Sequence, residues 1–408
     1  MITIVLPFQS SRAGLGVAGY MLAGADFTPY TDFIGTYDPK PIIPIQIFTA
    51  AMVYRGVIDD YEYFRYERNW YEPDNWEIDI NRYKVNVDQF AIGGFIRYNR
   101  EGVEHIGIIE RIEKPLDEKG KGGEQWKIIG RGAEAVFSLR ICMYGTATST
   151  GYHVQNAAGE TALRAFVDKE CISAADTNRN ITGLTLAAPG TRGTTVDYSA
   201  RFNILSDVLT DICKAAGLSC GLVWSGSGLN FVFTVYEGAD VSASVVISPE
   251  FGNVATFQYL NSVLEMKNLL YVGGTGTDAS RAVREVYDTT EPTGWARREQ
   301  FVEASDCADN AALDAKGAEV LATVGEETAL EVSYLQSNTF IYGVDFDLGD
   351  IITVVFPDVA IVVSRIVTVT EEWDENGERI TLGIGKKYPD LVSIMKASRQ
   401  AYSAQSRR

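Results

Sequence analysis

A chain of 408 residues has the length of roughly two to four domains. Its 46% hydrophobic and 11% aromatic residues can fill packed cores, and a net charge of −18 leaves no basic footprint for holding nucleic acid. The cysteines, Cys142, Cys171, Cys213, Cys220 and Cys307, are odd in number and include no Cys-x-x-Cys. That argues against a disulfide framework and a zinc site, and fits assembly in a reducing cytoplasm.

No apolar run reaches the ~18 residues of a membrane span. Met1 to Phe8 is apolar, but Gln9-Ser10-Ser11-Arg12 interrupts it and no basic segment precedes it, so a secretory leader is not expected. Residues 1–45, rich in Gly, Ala and Pro, read as an arm with at most one strand. Residues 46–150 carry the strongest strand signal. Trp76-Glu77-Ile78-Asp79-Ile80 alternates apolar and acidic residues, and Phe64, Tyr66 and Trp70 share one face opposite Arg65, Glu67 and Asn69. That two-residue period belongs to strands with one buried and one wet face. Glu72-Pro73-Asp74-Asn75 is a turn between them. A second pair, Phe95 to Tyr98 and Val103 to Ile112, flanks Asn99-Arg100-Glu101-Gly102. Asp117 to Gly123 forms a hairpin tip from which Trp126 to Gly130 returns. Such a series of short strands predicts a small barrel, with Ala133 to Arg140 as a helical cap or plug.

Residues 151–250 read as an α+β unit. Thr146 to Gln155 is a loop, and Leu163, Phe166 and Val167 mark a helix from Glu160 to Cys171. In the next helix Asn203 is the expected N-cap, Ile204, Leu205, Val208, Leu209 and Ile212 the stripe, and Gly217 the stop. Gly221 to Trp224 and Leu229 to Tyr236 then form a hairpin. Residues 251–387 return to strands with a helical insertion. Arg281 to Tyr287 and Trp295 to Val302 read as hairpin flanks. A helix from Asp306 to Thr323 carries Ala312, Ala315, Ala318 and Leu321 on one side. Leu330 to Tyr334 alternates, and Ile351 to Phe356, apolar throughout, reads as buried on both faces. Ala360 to Trp373 and Glu378 to Gly385 pair across Asn376-Gly377, a type I′ signal that sets Asp374 opposite Arg379 and Trp373 opposite Ile380. Residues 388–408 form a helical tail whose basic residues, Lys396, Arg399, Arg407 and Arg408, read as a docking segment or a solvated end. The fold class is therefore mainly β with an α+β insert: two small β-barrel domains flanking an α+β domain.

No stretch carries convincing chemistry. Gly217-Leu218-Ser219-Cys220-Gly221 matches a nucleophile elbow, but helix precedes and strand follows, the reverse of what an elbow needs. Both histidines, His105 and His153, lie before it. Gly274-Thr275-Gly276-Thr277-Asp278-Ala279 lacks the crossover helix of a dinucleotide site. Around Asp345, Asp347 and Asp350 the glycine of a calcium loop is at the wrong place and no glutamate closes the loop at the required distance. Nothing in the spacing of the acids selects a glycosidase pair. The expectation is no catalytic, cofactor or metal residue.

Tyr54-Arg55-Gly56-Val57-Ile58-Asp59-Asp60-Tyr61 followed by Arg68-Asn69-Trp70-Tyr71-Glu72-Pro73-Asp74-Asn75-Trp76-Glu77-Ile78 resembles the opening of a family of siphophage tail-tip proteins. Gly107 to Glu113, Ile128 to Gly132, Leu139-Arg140 and Asn268 to Gly274 resemble its continuation. The resemblance covers about Val53 to Met395. It implies a tail hub related in fold to the trimeric hub of contractile tails and to type VI secretion spikes. The implied role is structural: a homotrimer in the virion, assembled in the bacterial cytoplasm, that adapts a hexameric tail tube to a threefold tip and lets DNA pass without holding it. The implied partners are distal tail and tail-tube proteins, tail-fibre or tip proteins, and the tape measure protein. The inner surface of such a ring is expected to be net negative, with some of the second barrel's acids, Asp345, Asp347, Asp350, Asp358, Glu371, Glu372 and Asp374, facing the axis. The alternatives are a tail-associated cell-wall hydrolase and a receptor-binding tail protein.

Overall fold

The computed structural model describes residues 42–385 apart from 101, 117–121, 146–150, 265, 277–279, 306, 308, 337–339 and 357–359. The expected arm up to residue 41, the middle of the tip at 117–121, Asp358 and the basic tail lie outside the described residues.

The first strand region comprises β1 (Ile45–Phe48), β2 (Tyr54–Ile58), β3 (Tyr63–Asn69), β4 (Asn75–Asn81), β5 (Phe95–Arg100), β6 (Val103–Glu113) and β7 (Gln125–Gly132). Its alternation holds: β3 buries Phe64 and Tyr66, and β4 buries Trp76, Ile78 and Ile80. Trp76 also explains two glycines. A Cβ at Gly107 would lie 2.1 Å from its indole, and one at Gly130 would lie 2.4 Å from it. The indole Nε1 donates to the Arg131 carbonyl at 3.1 Å.

A 3-10 helix, Ala133–Leu139, follows, then β8 (His153–Ala158), α1 (Gly159–Val167), β9 (Leu184–Leu186), β10 (Thr195–Ala200), α2 (Leu205–Ala216), β11 (Ser219–Trp224) and β12 (Phe231–Tyr236). The expected loop at Thr146 to Gln155 thus gives way to strand at His153. Leu163, Phe166, Val167, Leu205, Val208 and Ile212 share one core with Phe137 of the 3-10 helix, so that helix fastens the α+β unit to the first strand region. Gly217 ends α2 at φ +72°. The expected N-cap is one residue early. Asn203 Oδ1 is taken by the Arg201 amide at 3.0 Å, Ile204 occupies the cap, and its side chain stays exposed.

The last region comprises β13 (Val246–Ile247), β14 (Val254–Ser262), β15 (Leu269–Gly273), β16 (Val283–Val286), β17 (Glu299–Glu303), α3 (Asn310–Thr323), β18 (Glu327–Tyr334), β19 (Ile351–Phe356), β20 (Ala360–Asp374) and β21 (Gly377–Gly385). Three expectations change here. The strands β16 and β17 do not pair with each other, because β15 sits between them, antiparallel to β16 and parallel to β17. Helix α3 turns Leu313 and Gly317 inward and exposes Ala315 and Ala318: Leu313 fills the core, and at Gly317 the helix approaches Val286 so closely that a Cβ would lie 2.6 Å from it. Strand β19 buries only Ile352, Val354 and Phe356, so it has one dry face rather than two. The β20–β21 hairpin also turns one residue earlier than expected. Asp374 pairs with Gly377, Trp373 with Glu378 and Glu372 with Arg379. Gly377, at φ +107°, takes the first position of β21 and leaves Glu375-Asn376 as the loop. The pairing sum shifts by two, so each side chain keeps its face.

One sheet carries thirteen strands, antiparallel except where β13 pairs with β19, with a main path β14-β18-β21-β20-β3-β4-β7-β6-β5-β1-β2, and β19 and β13 branching from β20. The path contains the same unit twice. In chain order the strands β3, β4, β5, β6, β7 are arranged β3-β4-β7-β6-β5, and β14, β18, β19, β20, β21 are arranged β14-β18-β21-β20-β19. The register agrees as well. A bulge interrupts β6 between Ile109 and Arg111, and another interrupts β20 between Ile366 and Thr368. Ile109 exchanges backbone bonds with Gly93 and Gly94, and Ile366 does so with Gly349 and Asp350. Aligning the pairs sets Phe64 and Tyr66 of β3 against Phe257 and Tyr259 of β14. The two units meet where β20 pairs with β3, from Thr368↔Asn69 to Asp374↔Tyr63.

Candidate functional site

Directly opposed residues of neighbouring strands lie on one face of a sheet. The registers Asp374↔Tyr63↔Asp79↔Lys127↔Glu113 and Arg379↔Glu372↔Arg65↔Glu77 therefore define one wet face that crosses the seam between the units. Arg111, Arg131, Glu67 and Glu331 share it by the same registers. Each cation on this face has a carboxylate partner. Lys127 Nζ lies 2.8 Å from Glu77, Arg111 Nη2 2.5 Å from Glu113, Arg379 Nη2 2.9 Å from Asp374, and Arg65 contacts Glu67. Arg131 makes a two-pronged pair with the bulge residue Glu110 at 2.7 and 2.8 Å. The hydrogen bond that Lys127 donates to Glu77 holds the Lys127 pKa above its ordinary value, and the bonds that Arg131 donates to Glu110 do the same for Arg131. Asp79 is pushed up by partial burial. Each such pair stabilises the fold by ~1 kcal/mol or less. Their joint effect is a surface of fixed charges with no unpartnered cation among these residues.

Beneath the seam the opposite face is dry, and it holds a carboxylate. Glu371 is fully buried; its Oε2 and Oε1 accept from the Tyr98 and Tyr342 hydroxyls, each at 3.0 Å. Burial pushes both phenols well above their ordinary range, so they remain protonated donors. Burial also raises the Glu371 pKa, against the opposing pull of Arg100 and Arg68. Arg68 donates to Tyr342 at 2.6 Å and to Asp347 at 2.7 Å, and Arg100 contacts Glu378. His105 stacks on Tyr98 at 4.8 Å; burial, then Arg68 and Arg100, hold it well below the usual histidine range and so neutral. Trp373 of β20 stacks on Phe64 of β3 at 5.2 Å. A network drawn from β3, β5, β20 and the 342–347 turn thus locks one unit to the other.

The sequence motifs fall elsewhere. Ser219 opens β11 directly after α2 and is buried, which is the reverse of an elbow. Gly274 to Gly276 follow β15, 277–279 lie outside the described residues, and β15 and β16 pair antiparallel, so their connection is a hairpin rather than a crossover. Asp345 caps the Ile341 amide at 2.7 Å, and Asp350 accepts from Ala239 at 2.8 Å and Asp347 at 2.9 Å. These are turn fastenings, and among the described residues no His/Cys/Asp/Glu cluster could hold a metal. Of the acids expected in a channel, Glu372 and Asp374 lie on the wet face, while Glu371 faces the core. The wet-face acids of the first unit, Glu77, Asp79 and Glu113, were not among those expected. One carboxyl pair does occur: burial and Glu134 push Asp74 well above the carboxylate range. Asp74 Oδ1 accepts from Asn69 at 2.8 Å and Glu134 Oε1 from the Asp74 amide at 2.9 Å, so the pair ties the β3–β4 turn to the 3-10 helix. His153 pairs with buried Glu170 at 3.4 Å, and Glu170 also binds Arg179 at 3.0 Å. A shallow groove lined by Tyr63, Asp79, Glu113, Lys114, Trp126 and Lys127 has no Ser, Cys or His in its wall.

This arrangement is the fold of phage tail proteins. The 43 kDa tail protein of prophage MuSo2 from Shewanella oneidensis superposes with a TM-score of 0.57 at 11% identity, over 86% of this chain and 100% of that one. A tail protein from Neisseria meningitidis MC58 gives 0.53 at 15% identity, over 85% and 99%. No curated protein sequence matches the chain. Residues 44–386 match the family described as "Siphovirus ReqiPepy6 Gp37-like protein", and the chain belongs to that family.

Proposed function

We propose that the protein is the hub of a siphophage tail tip, a homotrimer that joins a hexameric tail tube to a threefold tip and conducts DNA. The observation that carries this reading is the repeated five-strand unit. Two equivalent units in each of three chains offer six near-equivalent positions, which is what a sixfold tube needs. In this reading residues 46–150 and 251–387 are the two tube domains, 151–250 decorates the outside, and the tube and distal tail proteins sit on one side with tip or fibre proteins on the other. The wet face lines the channel. A cation that neutralises a phosphate releases counterions and gains affinity, so a basic lining would slow DNA. A face whose cations are already paired, and whose surplus is acidic, repels the backbone within a Debye length of ~8 Å at physiological salt. The role is architectural rather than enzymatic. Light scattering on purified protein, together with copy counting in imaged tails, tests the reading: three copies are expected. A monomer in solution with six copies on the tail overturns it.

A further inference from the structure

We infer that neighbouring copies join through β6 of one chain and β14 of the next, in the register that β20 and β3 use within the chain: Arg111 opposite Ser262, Glu113 opposite Leu260 and Leu116 opposite Phe257. This deepens the trimeric-hub reading and rests on it.

The inference comes from the repeat. By position in the unit, β20 corresponds to β6 and β3 corresponds to β14. Inside the chain, β20 uses its first part to pair with β19 and the part beyond its bulge to pair with β3. Strand β6 has the same design. Its first part pairs with β5 as far as Ile108, and beyond the bulge its second edge has no strand neighbour among the described residues. Strand β14 has β18 as its one described strand neighbour; most of its side chains are exposed, although Phe257 meets Phe356 edge-on at 4.6 Å, and its outer edge has no described strand beside it. Unpaired edges with apolar side chains invite strand addition unless something covers them. Both edges here have such residues: Leu116 is 69% exposed, Phe257 40% and Tyr259 38%.

Backbone direction agrees. The Trp70 amide donates to the Val367 carbonyl at 2.9 Å, so Phe64, Tyr66, Arg68 and Trp70 direct their amides at β20. Their counterparts on β14 are Phe257, Tyr259, Asn261 and, just past the strand, Val263. Just past β6 the proline at 115 falls where it does no harm. The Pro115 carbonyl accepts from Gly123 at 2.7 Å, on the β7 side, so Ile112, Lys114 and Leu116 face the free edge with their amides available.

Side chains agree as well. Within the chain, Trp70 packs so closely on Gly349 that a Cβ there would lie 1.9 Å from its ring. The counterpart of Gly349 is Gly93, which has the same left-handed backbone and no atom within 4 Å of its Cβ position. The counterpart of Trp70 is Val263, 42% exposed. In the ring, Val263 of one copy fills the space over Gly93 of the next. A head-to-tail contact of this kind closes a ring when its rotation divides the circle.

Paired cysteines test the register. Glu113 and Leu260 form a pair without mutual backbone hydrogen bonds, where Cα atoms approach to ~4.5 Å, within disulfide reach. Glu113→Cys and Leu260→Cys proteins, refolded together and oxidised with oxidised glutathione, are expected to give a covalent dimer on a non-reducing gel. The doubly substituted chain should give a covalent trimer. Glu113→Cys with Gln258→Cys, offset by two residues, should cross-link at least about tenfold less, and each single variant alone reports the background from native cysteines. A trimer by light scattering with no 113–260 cross-link overturns the pairing and leaves the ring standing. A protein that scatters as a monomer overturns the ring and the pairing together.

Discussion

Trp373 offers the sharpest test of how the two strand units are held. It belongs to β20, yet it lies in the core of the first unit with 2% of its surface exposed. Its ring stacks on Phe64 at 5.2 Å and meets Tyr98 edge-on at 5.8 Å. Truncating a buried aromatic to alanine costs about 3–5 kcal/mol in transfer and cavity terms. The stack adds about 0.5–1.5 kcal/mol beyond area. One term opposes: the Trp373 Nε1 is buried without a hydrogen-bond partner, so its removal relieves a desolvation penalty of about 1–3 kcal/mol. The net expectation for Trp373→Ala is a loss of about 3 kcal/mol, a large share of a typical domain's ~5–15 kcal/mol. Urea unfolding followed by circular dichroism measures it. A cycle with Phe64→Ala should show coupling of about 1 kcal/mol, and a cycle with Phe166→Ala, in the α+β unit, should be additive. A loss below about 1 kcal/mol that adds with Phe64→Ala would refute the claim that the seam is a packed core.

Other outcomes follow from the same geometry. Because burial raises the Glu371 pKa in the folded state, the native protein binds more protons than the unfolded chain between the ordinary glutamate value and the raised one, so this group's contribution to stability falls as pH rises through that window. Glu371→Gln should flatten the fall of the urea midpoint as pH rises above the ordinary glutamate value, relative to the parent; identical slopes would refute the raised pKa. Replacing Glu77, Glu372 and Asp374 together by lysine should slow DNA ejection from assembled phage and make the rate salt-dependent, and an unchanged rate would remove the wet face from the channel. Ser219→Ala should leave infectivity unchanged, and lost infectivity with normal tails would reveal a nucleophile.

The agreement between sequence and structure is local. The alternation in β3 and β4, the turn expected at 72–75 and found at 70–74, the stop at Gly217 and the helix around Phe166 were legible because each depends on residues a few positions apart. Even the hairpin at 374–377 was found, though its register turned on which residue took the left-handed position, Gly377 rather than a turn centre. The faces of α3 and β19 were misjudged because composition does not say which side another element covers.

The chain by itself determined most of the strands and, where apolar and polar residues alternate as in β3 and β4, their wet and dry faces, since a two-residue period fixes which side chains point together. It also held the trace of the repeat, Phe64-x-Tyr66 and Phe257-x-Tyr259, too short to stand out without the register. Only the tertiary structure decided that Thr368–Asp374 pairs with Tyr63–Asn69, hundreds of residues away. Any strand with free amides can pair with any other, and loop entropy grows too slowly with length to choose. That single pairing put Glu371 in the core, set Glu372 and Asp374 on the wet face, and left β6 and β14 as open edges.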